Sequence, residues 1–227
     1  MIRAIVTDIE GTTSSLRFVH EVLFPYSARH LEEFVLQHLR EPAVREQLHE
    51  TARLAELDPE DTPALIAQLL RWIAEDRKSP PLKLLQGMLW ERGYREGAFQ
   101  GHLYEDAAQL LRQWQRQGLR LYVYSSGSEQ AQKLLFGYSS HGDLTPLFSV
   151  YFDTRVGAKR EVASYRRIAQ ELGEAPGNIL FLSDVKEELD AARAAGLHTT
   201  WLVREGALPA QPLHPVARDF HEVRLDA

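Results

Sequence analysis

Four apolar runs in the sequence each lead into side chains that can do chemistry. The first ends at two carboxylates, the second at hydroxyls and a glycine, the third runs on to a lysine and the fourth to another carboxylate. These residues are Asp8 and Glu10, Ser125-Ser126-Gly127, Lys159, and Asp184. Together they predict phosphoryl transfer, which needs an in-line nucleophile and neutralised charge on the moving group.

Each group has a distinct part in such chemistry. Asp8 is suited to act as the nucleophile and to form an aspartyl-phosphate. The Asp8 carboxylate and the substrate phosphate are both anions and repel each other, so Mg²⁺ must bridge them. Asp8 and Asp184 would supply the one or two carboxylates that this ion prefers. Hydroxyl and N–H groups at Ser125 and Ser126 would hold phosphate oxygens at a helix N-terminus. Lys159 would offset the remaining charge.

Each residue taken alone also has an ordinary structural explanation. Asp8 could form a turn, and Ser125, Ser126 or Asp184 could cap a helix. Lys159 could be a solvated loop residue. The chemical interpretation is favoured because all of them follow strand-like runs and the set matches the needs of phosphoryl transfer.

The surrounding pattern predicts an α/β core with a parallel sheet. Residues 2–6 form a short buried run, and beyond residue 101 apolar runs alternate with amphipathic segments of helical length. Such alternation is typical of right-handed βαβ units, whose carboxyl strand ends share one edge of the sheet. Residues 219–223 are expected to form one last short edge strand.

Residues 16–100 show four helical segments and hardly a strand signal. We therefore expect a Rossmann-like three-layer core from residues 1–15 and 101–227, with residues 16–100 inserted after the first strand as a helical cap. A cap of this kind would exclude water and select the substrate.

The composition excludes several classes of function. The formal net charge of −6 argues against nucleic acid or an anionic membrane as a partner, since both select for a basic face. The absence of cysteine excludes disulfides and thiolate chemistry. The sequence carries neither a signal-peptide core nor a run long enough to cross a bilayer. We expect a cytoplasmic protein that is monomeric.

The motifs resemble those of the haloacid dehalogenase superfamily and, within it, the enolase-phosphatases (acireductone synthases) of methionine salvage. Six stretches carry the resemblance in order over residues 3–203: "DIEGTT", "HEVLFPYS", "LKLLQGMLW", "LYEDA", "YSSGS" and "FLSDVKEELDAA". The agreement of six separate stretches makes the resemblance specific.

The resemblance implies a catalytic pair, Asp8 and Glu10. It also implies one Mg²⁺ per chain, held by Asp8, Asp184 and the backbone carbonyl of Glu10, and substrate contacts at Ser125, Ser126 and Lys159. The implied reaction converts 2,3-diketo-5-methylthiopentyl-1-phosphate to the acireductone 1,2-dihydroxy-3-keto-5-methylthiopentene and phosphate. Enolisation would come first and loss of phosphate second.

Glu10 departs from the superfamily, which usually carries a second aspartate at this place as the general acid and base. The longer glutamate side chain would put its carboxyl about 1.5 Å further out. Either it does the same work from a shifted position, or the leaving group needs little protonation. We favour the second account, because an enediol phosphate expels a stabilised oxyanion.

The sequence leaves two points open, the enolisation base and the substrate class. The base for enolisation could be Glu10, Lys159, Glu105 or Asp106. The same scaffold would also suit a general small-molecule phosphomonoester phosphatase or a phosphomutase. A dehalogenase and a receiver-like signalling domain fit less well, since the first needs no phosphate site and the second no helical insertion.

Overall fold

The computed structural model describes residues 1–226 of the 227-residue chain. The chain divides into two compact units. The core unit comprises Met1–Leu16 and the chain from Gly101 onward, and the helical unit comprises Arg17–Gln100. That the helical unit acts as a cap stays a prediction.

The helices are α1 (Leu16–Phe18), α2 (Phe24–His38), α3 (Pro42–Ala55), α4 (Thr62–Ala74), α5 (Pro80–Arg95), α6 (Glu105–Arg116), α7 (Glu129–Gly137), α8 (Val162–Leu172) and α9 (Lys186–Ala194), with a π-helical turn at Val19–Leu23 between the first two. The strands are β1 (Ala4–Thr7), β2 (Arg120–Tyr124), β3 (Phe148–Phe152), β4 (Ile179–Ser183), β5 (His198–Leu202) and β6 (Val216–Ala217).

The strands form one parallel sheet in the order β3-β2-β1-β4-β5-β6. Strand β1 is buried at every position because it lies between two neighbours and is covered on both faces. Side chains alternate between those faces, so Ala4 and Val6 pack with Tyr165 of α8 and Leu189 of α9. Helices α6 and α7 contact β2 and β3. This arrangement confirms the predicted α/β core with a parallel sheet.

The helical unit buries an apolar cluster of its own. Leu31, Leu69, Trp72 and Leu85, from three different helices, are almost fully buried there. At the start of α4, Asp61 Oδ1 accepts a hydrogen bond from the N–H of Ala64 (3.0 Å), which satisfies one of the free donors of the first turn.

The prediction of an edge strand at residues 219–223 is wrong. Phe220–Glu222 form a 3-10 turn instead, and the short strand β6 pairs with β5 just before it. Asp219 Oδ1 accepts from the N–H of His221 (2.8 Å), so the side chain satisfies the backbone locally and favours a turn. Phe220 is completely buried and stacks on Trp114 of α6.

Among residues 1–226, every helix is too short or too polar to cross a membrane.

Candidate active site

The sheet brings three of the predicted site segments to one edge. Thr7, the last residue of β1, lies opposite Val123 of β2 and Leu182 of β4. Asp8 follows directly, and its N–H donates to the carbonyl of Leu182 (2.9 Å). Ser125 and Asp184 each come two residues after those partners of Thr7. The register therefore places both residues beside Asp8 at the carboxyl edge.

The chain after Asp8 turns back on itself at once. The carbonyl of Ile9 accepts hydrogen bonds from three successive N–H groups, those of Thr12, Thr13 and Ser14, at 2.9–3.1 Å. We call residues 9–14 the nucleophile loop. Glu10 lies on this loop beside the strand end. It is half-buried, and its backbone forms a β-bridge with Ser14.

Gly11 makes the close approach of this loop to Asp184 possible. Its φ of +73° is in the left-handed region, and a Cβ there would lie 2.1 Å from Asp184 Oδ2. A side chain would collide with the carboxylate, so only glycine fits. The same geometry shows that the loop and the Asp184 carboxylate are in direct contact.

The serine turn at the end of β2 is ordered by its own hydrogen bonds. The N–H of Ser125 donates to the carbonyl of Phe152 (3.1 Å), and Ser125 Oγ accepts from the N–H of Gly127 (3.2 Å). The cap of α7 is Ser128, whose Oγ accepts from the N–H of Ala131 (3.2 Å). Because Ser128 caps the helix, Ser125 and Ser126 are not needed for that purpose.

Lys159 is a buried cation between two carboxylates. Its Nζ lies 2.6 Å from Asp8 Oδ1 and 2.7 Å from Glu188 Oε2, and its side chain is only 10% exposed. Burial by itself would lower the pKa of Lys159, but the charges of Asp8 and Glu188 outweigh it and hold that pKa above its ordinary value. Lys159 is therefore an ammonium that neutralises part of the charge on Asp8.

The backbone around Lys159 is fixed from the core. Tyr165 donates its hydroxyl hydrogen to the carbonyl of Lys159 (2.6 Å), and Tyr124 donates to that of Gly157 (3.0 Å). Gly157 has a φ of +137°, and a Cβ there would lie 2.2 Å from Ser164 Oγ. The lysine thus reaches Asp8 from a loop that two buried tyrosines hold in place.

Glu188 is a site residue that the sequence analysis missed. It is 8% exposed and accepts hydrogen bonds from Lys159 and from Ser183 Oγ (2.9 Å). Burial and the nearby charge of Asp8 raise its pKa, against the opposing effect of Lys159. The available signal was its place four residues after Asp184, one helical turn into α9, where the side chain points back toward the strand end.

Asp184 is a half-buried carboxylate without a full set of partners. Its Oδ1 is buried and accepts no hydrogen bond among the described residues. Burial and the negative charge of Asp8 raise the pKa of Asp184 to about 7. An unpaired, buried oxygen in a field of like charge is suited to a cation, so the site fits the predicted metal.

The type of cation follows from the donors. Within residues 1–226, no three or more His, Asp or Glu side chains are grouped so that they could hold a metal by themselves. Two carboxylates, Asp8 and Asp184, remain as side-chain donors. A pair of carboxylates completed by water and substrate oxygens suits Mg²⁺, which keeps several waters.

Comparisons with known proteins identify the family of the chain. A sequence profile described as haloacid dehalogenase-like hydrolase matches residues 2–196. The chain belongs to the haloacid dehalogenase-like hydrolases. Among its relatives, a protein named Enolase-phosphatase E1 from Marinobacter nauticus is 59% identical over 98% of this chain and 97% of its own. One of the same name from Pseudomonas aeruginosa is 58% identical over 99% of each chain.

Solved structures share the fold of this chain. The crystal structure of the UTR4 protein from Saccharomyces cerevisiae has a TM-score of 0.82 and 33% identity, with 98% of this chain and 100% of that chain covered. A haloacid dehalogenase-type phosphatase from Thermococcus onnurineus, 18% identical over 97% of this chain and 95% of its own, has a TM-score of 0.62 and shares the fold. The predicted resemblance to the enolase-phosphatases within this superfamily is confirmed.

Two of the four candidate bases of this hydrolase lose their suitability in the structure. Asp106 Oδ2 accepts from Arg204 (2.7 Å) and from the N–H of Phe220 (2.8 Å), so it is engaged in an ion pair. Lys159 is protonated and cannot take up a proton. Glu10 and the exposed Glu105 remain.

We expect Asp184→Asn to stabilise the metal-free protein at high pH. An acid whose pKa rises from 3.8 to about 7 on folding lowers stability increasingly as the pH rises, and the loss levels off above about 7. The full difference corresponds to a ceiling of about 4 kcal/mol. The advantage of the variant in urea denaturation with EDTA should therefore grow between pH 5 and pH 8.

The control is Glu187→Gln, which removes one exposed negative charge from the neighbouring helical turn. Millimolar Mg²⁺ should raise the melting temperature of wild type and of this control but not of Asp184→Asn. Equal stability of the Asp184 variant and wild type at pH 8, or equal stabilisation by Mg²⁺, would contradict the assignment.

We expect Glu188→Gln to lower kcat/KM by about 10–100-fold, the usual effect of removing the partner that orients a site residue. The amide keeps the size of the side chain but leaves Lys159 with one carboxylate instead of two. Phosphate release at several pH values is the measurement, again with Glu187→Gln as control. A Glu188 variant as active as the control would show that Asp8 alone positions the lysine.

Proposed function

We propose that the chain is a Mg²⁺-dependent enolase-phosphatase that converts 2,3-diketo-5-methylthiopentyl-1-phosphate to the acireductone 1,2-dihydroxy-3-keto-5-methylthiopentene and phosphate. The observation that carries the proposal is the contact of Lys159 with Asp8 at the end of β1, beside Asp184. Supporting it are the six ordered motifs and the relatives named Enolase-phosphatase E1.

The phosphatase step is proposed to begin with Asp8. Lys159 holds Oδ1, which leaves Oδ2 to attack phosphorus. The bond between phosphorus and the substrate oxygen breaks, and its electron pair leaves with that oxygen. Water then hydrolyses the aspartyl-phosphate and restores the carboxylate. Lys159 and the serine turn would bind the phosphate oxygens while their negative charge increases.

One Mg²⁺ per chain is proposed to be held by Asp8, Asp184 and the backbone carbonyl of Glu10. When bound, it would neutralise the repulsion between the nucleophile and the phosphate and would polarise a substrate carbonyl. Support comes from the unpaired buried oxygen of Asp184 and from the glycine that lets the nucleophile loop approach it.

The enolisation base is proposed to be Glu10. It lies two residues from Asp8 on the nucleophile loop, whereas Lys159 is charged and Asp106 is held by Arg204. Glu105 is the remaining alternative. A carboxylate at this position would remove the proton from the carbon that bears the phosphate, and the ketone oxygen would take up the negative charge.

We further propose a monomeric cytoplasmic enzyme without nucleic-acid or membrane partners. The acidic net charge of −6 and the absence of cysteine support this proposal.

With purified protein, Mg²⁺ and the diketo phosphate, enol absorbance should rise ahead of free phosphate. Asp8→Asn should lower phosphate release by about 10³-fold or more while the enol still forms, because the amide keeps an oxygen for Lys159 and Mg²⁺ but cannot act as the nucleophile. Both signals are followed in one cuvette. Phosphate from simple esters without an enol signal from the diketone would instead identify a general phosphomonoester phosphatase.

Glu10→Gln separates the two accounts of the leaving group. We expect release of phosphate from an alkyl phosphate to fall by about 10²–10⁴-fold, since this leaving group needs a general acid. Release from enol phosphate that the Asp8→Asn variant has already formed should persist at a lower rate, because it needs no enolisation and its enediol oxyanion is already stabilised. Glu105→Gln is the matched control. If Glu10→Gln is inert on both substrates while Mg²⁺ still stabilises it, Glu10 transfers the proton in both.

A further inference from the structure

Arg204 is a buried cation in the tail that follows β5. Its side chain is 9% exposed, and its guanidinium lies between two aromatic rings, 4.1 Å from the centre of Tyr104 and 5.2 Å from that of Phe220. An arginine so enclosed has little freedom to move. Its position is set by the two rings and by the groups that its N–H donors meet.

Those donors converge on the nucleophile loop. Nε and Nη2 of Arg204 both donate to the backbone carbonyl of Thr12, at 3.0 and 2.7 Å, and Nη1 donates to Asp106 Oδ2 at 2.7 Å. Asp106 also accepts from the N–H of Phe220. Two charge-assisted bonds to one carbonyl fix the direction of that peptide group as well as its distance.

The fixed peptide group lies next to the close contact between Gly11 and Asp184. Thr12 follows Gly11, whose backbone touches the carboxylate of Asp184, and it lies two residues after Glu10. Thr12 itself is completely buried, and its N–H bonds the carbonyl of Ile9. A small rotation of the peptide between Thr12 and Thr13 would move the backbone that faces the proposed metal and the phosphate.

We propose that Arg204 is a positioning residue for this reaction, which holds the nucleophile loop in its productive geometry through the carbonyl of Thr12. The proposal deepens the proposed function and rests on it. Arg204 touches neither Asp8 nor Asp184 and acts through the backbone of the loop. Asp106 and the two rings orient the guanidinium. The tail after β5 is then part of the catalytic apparatus, although it lies outside the four motif segments.

The same tail supplies a matched control. Arg218 also binds backbone carbonyls, through Nη1 to Val203 (3.2 Å) and Gly206 (2.8 Å), but both belong to the tail itself. Arg218→Met therefore removes an arginine that stabilises the tail without removing a contact to the nucleophile loop. A general loss of tail stability should appear in both variants, and a loss of loop geometry only in Arg204→Met.

The experiment compares wild type, Arg204→Met, Arg204→Lys and Arg218→Met in the presence of saturating Mg²⁺. We expect Arg204→Met to lower kcat by about 10–100-fold with KM within about threefold, because a misplaced loop affects the chemical step more than binding. Lysine can reach only one of the two acceptors, so Arg204→Lys should recover part of kcat. Arg218→Met should keep kcat within about twofold.

A second measurement does not depend on activity. The N–H groups of Gly11, Thr12, Thr13 and Ser14 are all hydrogen-bonded within the loop. Amide hydrogen exchange at residues 11–14, followed by mass spectrometry, should be faster by about tenfold in Arg204→Met and unchanged in Arg218→Met. Equal exchange in the two variants, or an equal loss of kcat, would overturn the proposal.

Different results would contradict the proposed substrate and the positioning role of Arg204. If wild type releases phosphate from a simple aryl phosphate but not from the diketo phosphate, the proposed substrate is wrong. The Arg204 comparison is then made with the aryl ester. If wild type turns over the diketo phosphate and the Arg204 and Arg218 variants behave alike, the proposed substrate stands and the positioning role of Arg204 is wrong.

Discussion

The contact of Lys159 with Asp8 and Glu188 is the interaction on which the rest of the site depends. Three carboxylates, counting Asp184, share one edge of the sheet with a single ammonium, so the cluster carries two negative charges when all are ionised. Burying like charges is costly, and burial together with repulsion from Asp8 raises the pKa of Asp184. A divalent cation would neutralise the cluster, and a phosphate could then approach it. The charge imbalance thus favours the substrate and the metal together.

The hydrophobic core supports this polar edge directly. Tyr165, which holds the backbone of Lys159, packs its ring against Tyr124 and Phe181 at centroid distances of 5.6 and 5.0 Å. One end of each tyrosine is therefore apolar and buried, while its hydroxyl orders the lysine loop. Because the same side chains fill the core and fix the site, the lysine stays in place without an extensive loop structure.

Backbone contacts extend the support on the opposite side of the nucleophile. Gly11 allows the loop to reach Asp184, and Arg204 holds the next carbonyl from a tail that joins the sheet through β6. The six-residue nucleophile loop is thus in contact with an acidic residue, Asp184, and with a basic one, Arg204. Such loops need outside partners, since few apolar contacts stabilise them.

The sequence predicted the fold well because its signals are local. The alternation of apolar runs with amphipathic segments predicted the parallel sheet, and Ser128 and Asp61 cap α7 and α4 as their residue types suggest. The prediction at residues 219–223 was wrong because the Asp219 side chain favours a turn there and because Phe220 stacks on Trp114, a residue distant in the chain. Hydrophobic period alone cannot report such a contact.

In the candidate site, too, local features were predictable from the sequence and contacts between distant residues were not. The sequence by itself determined which chemical groups follow the strands, namely those of Asp8, Ser125, Lys159 and Asp184. Both the end of a strand and the type of the side chain can be read from a short stretch of sequence. Only the tertiary structure decided which acids form ion pairs, since Asp106 is paired by an arginine 98 residues away and Glu188 by a lysine. Pairing of buried charges depends on distances in space, which the order of residues along the chain does not contain.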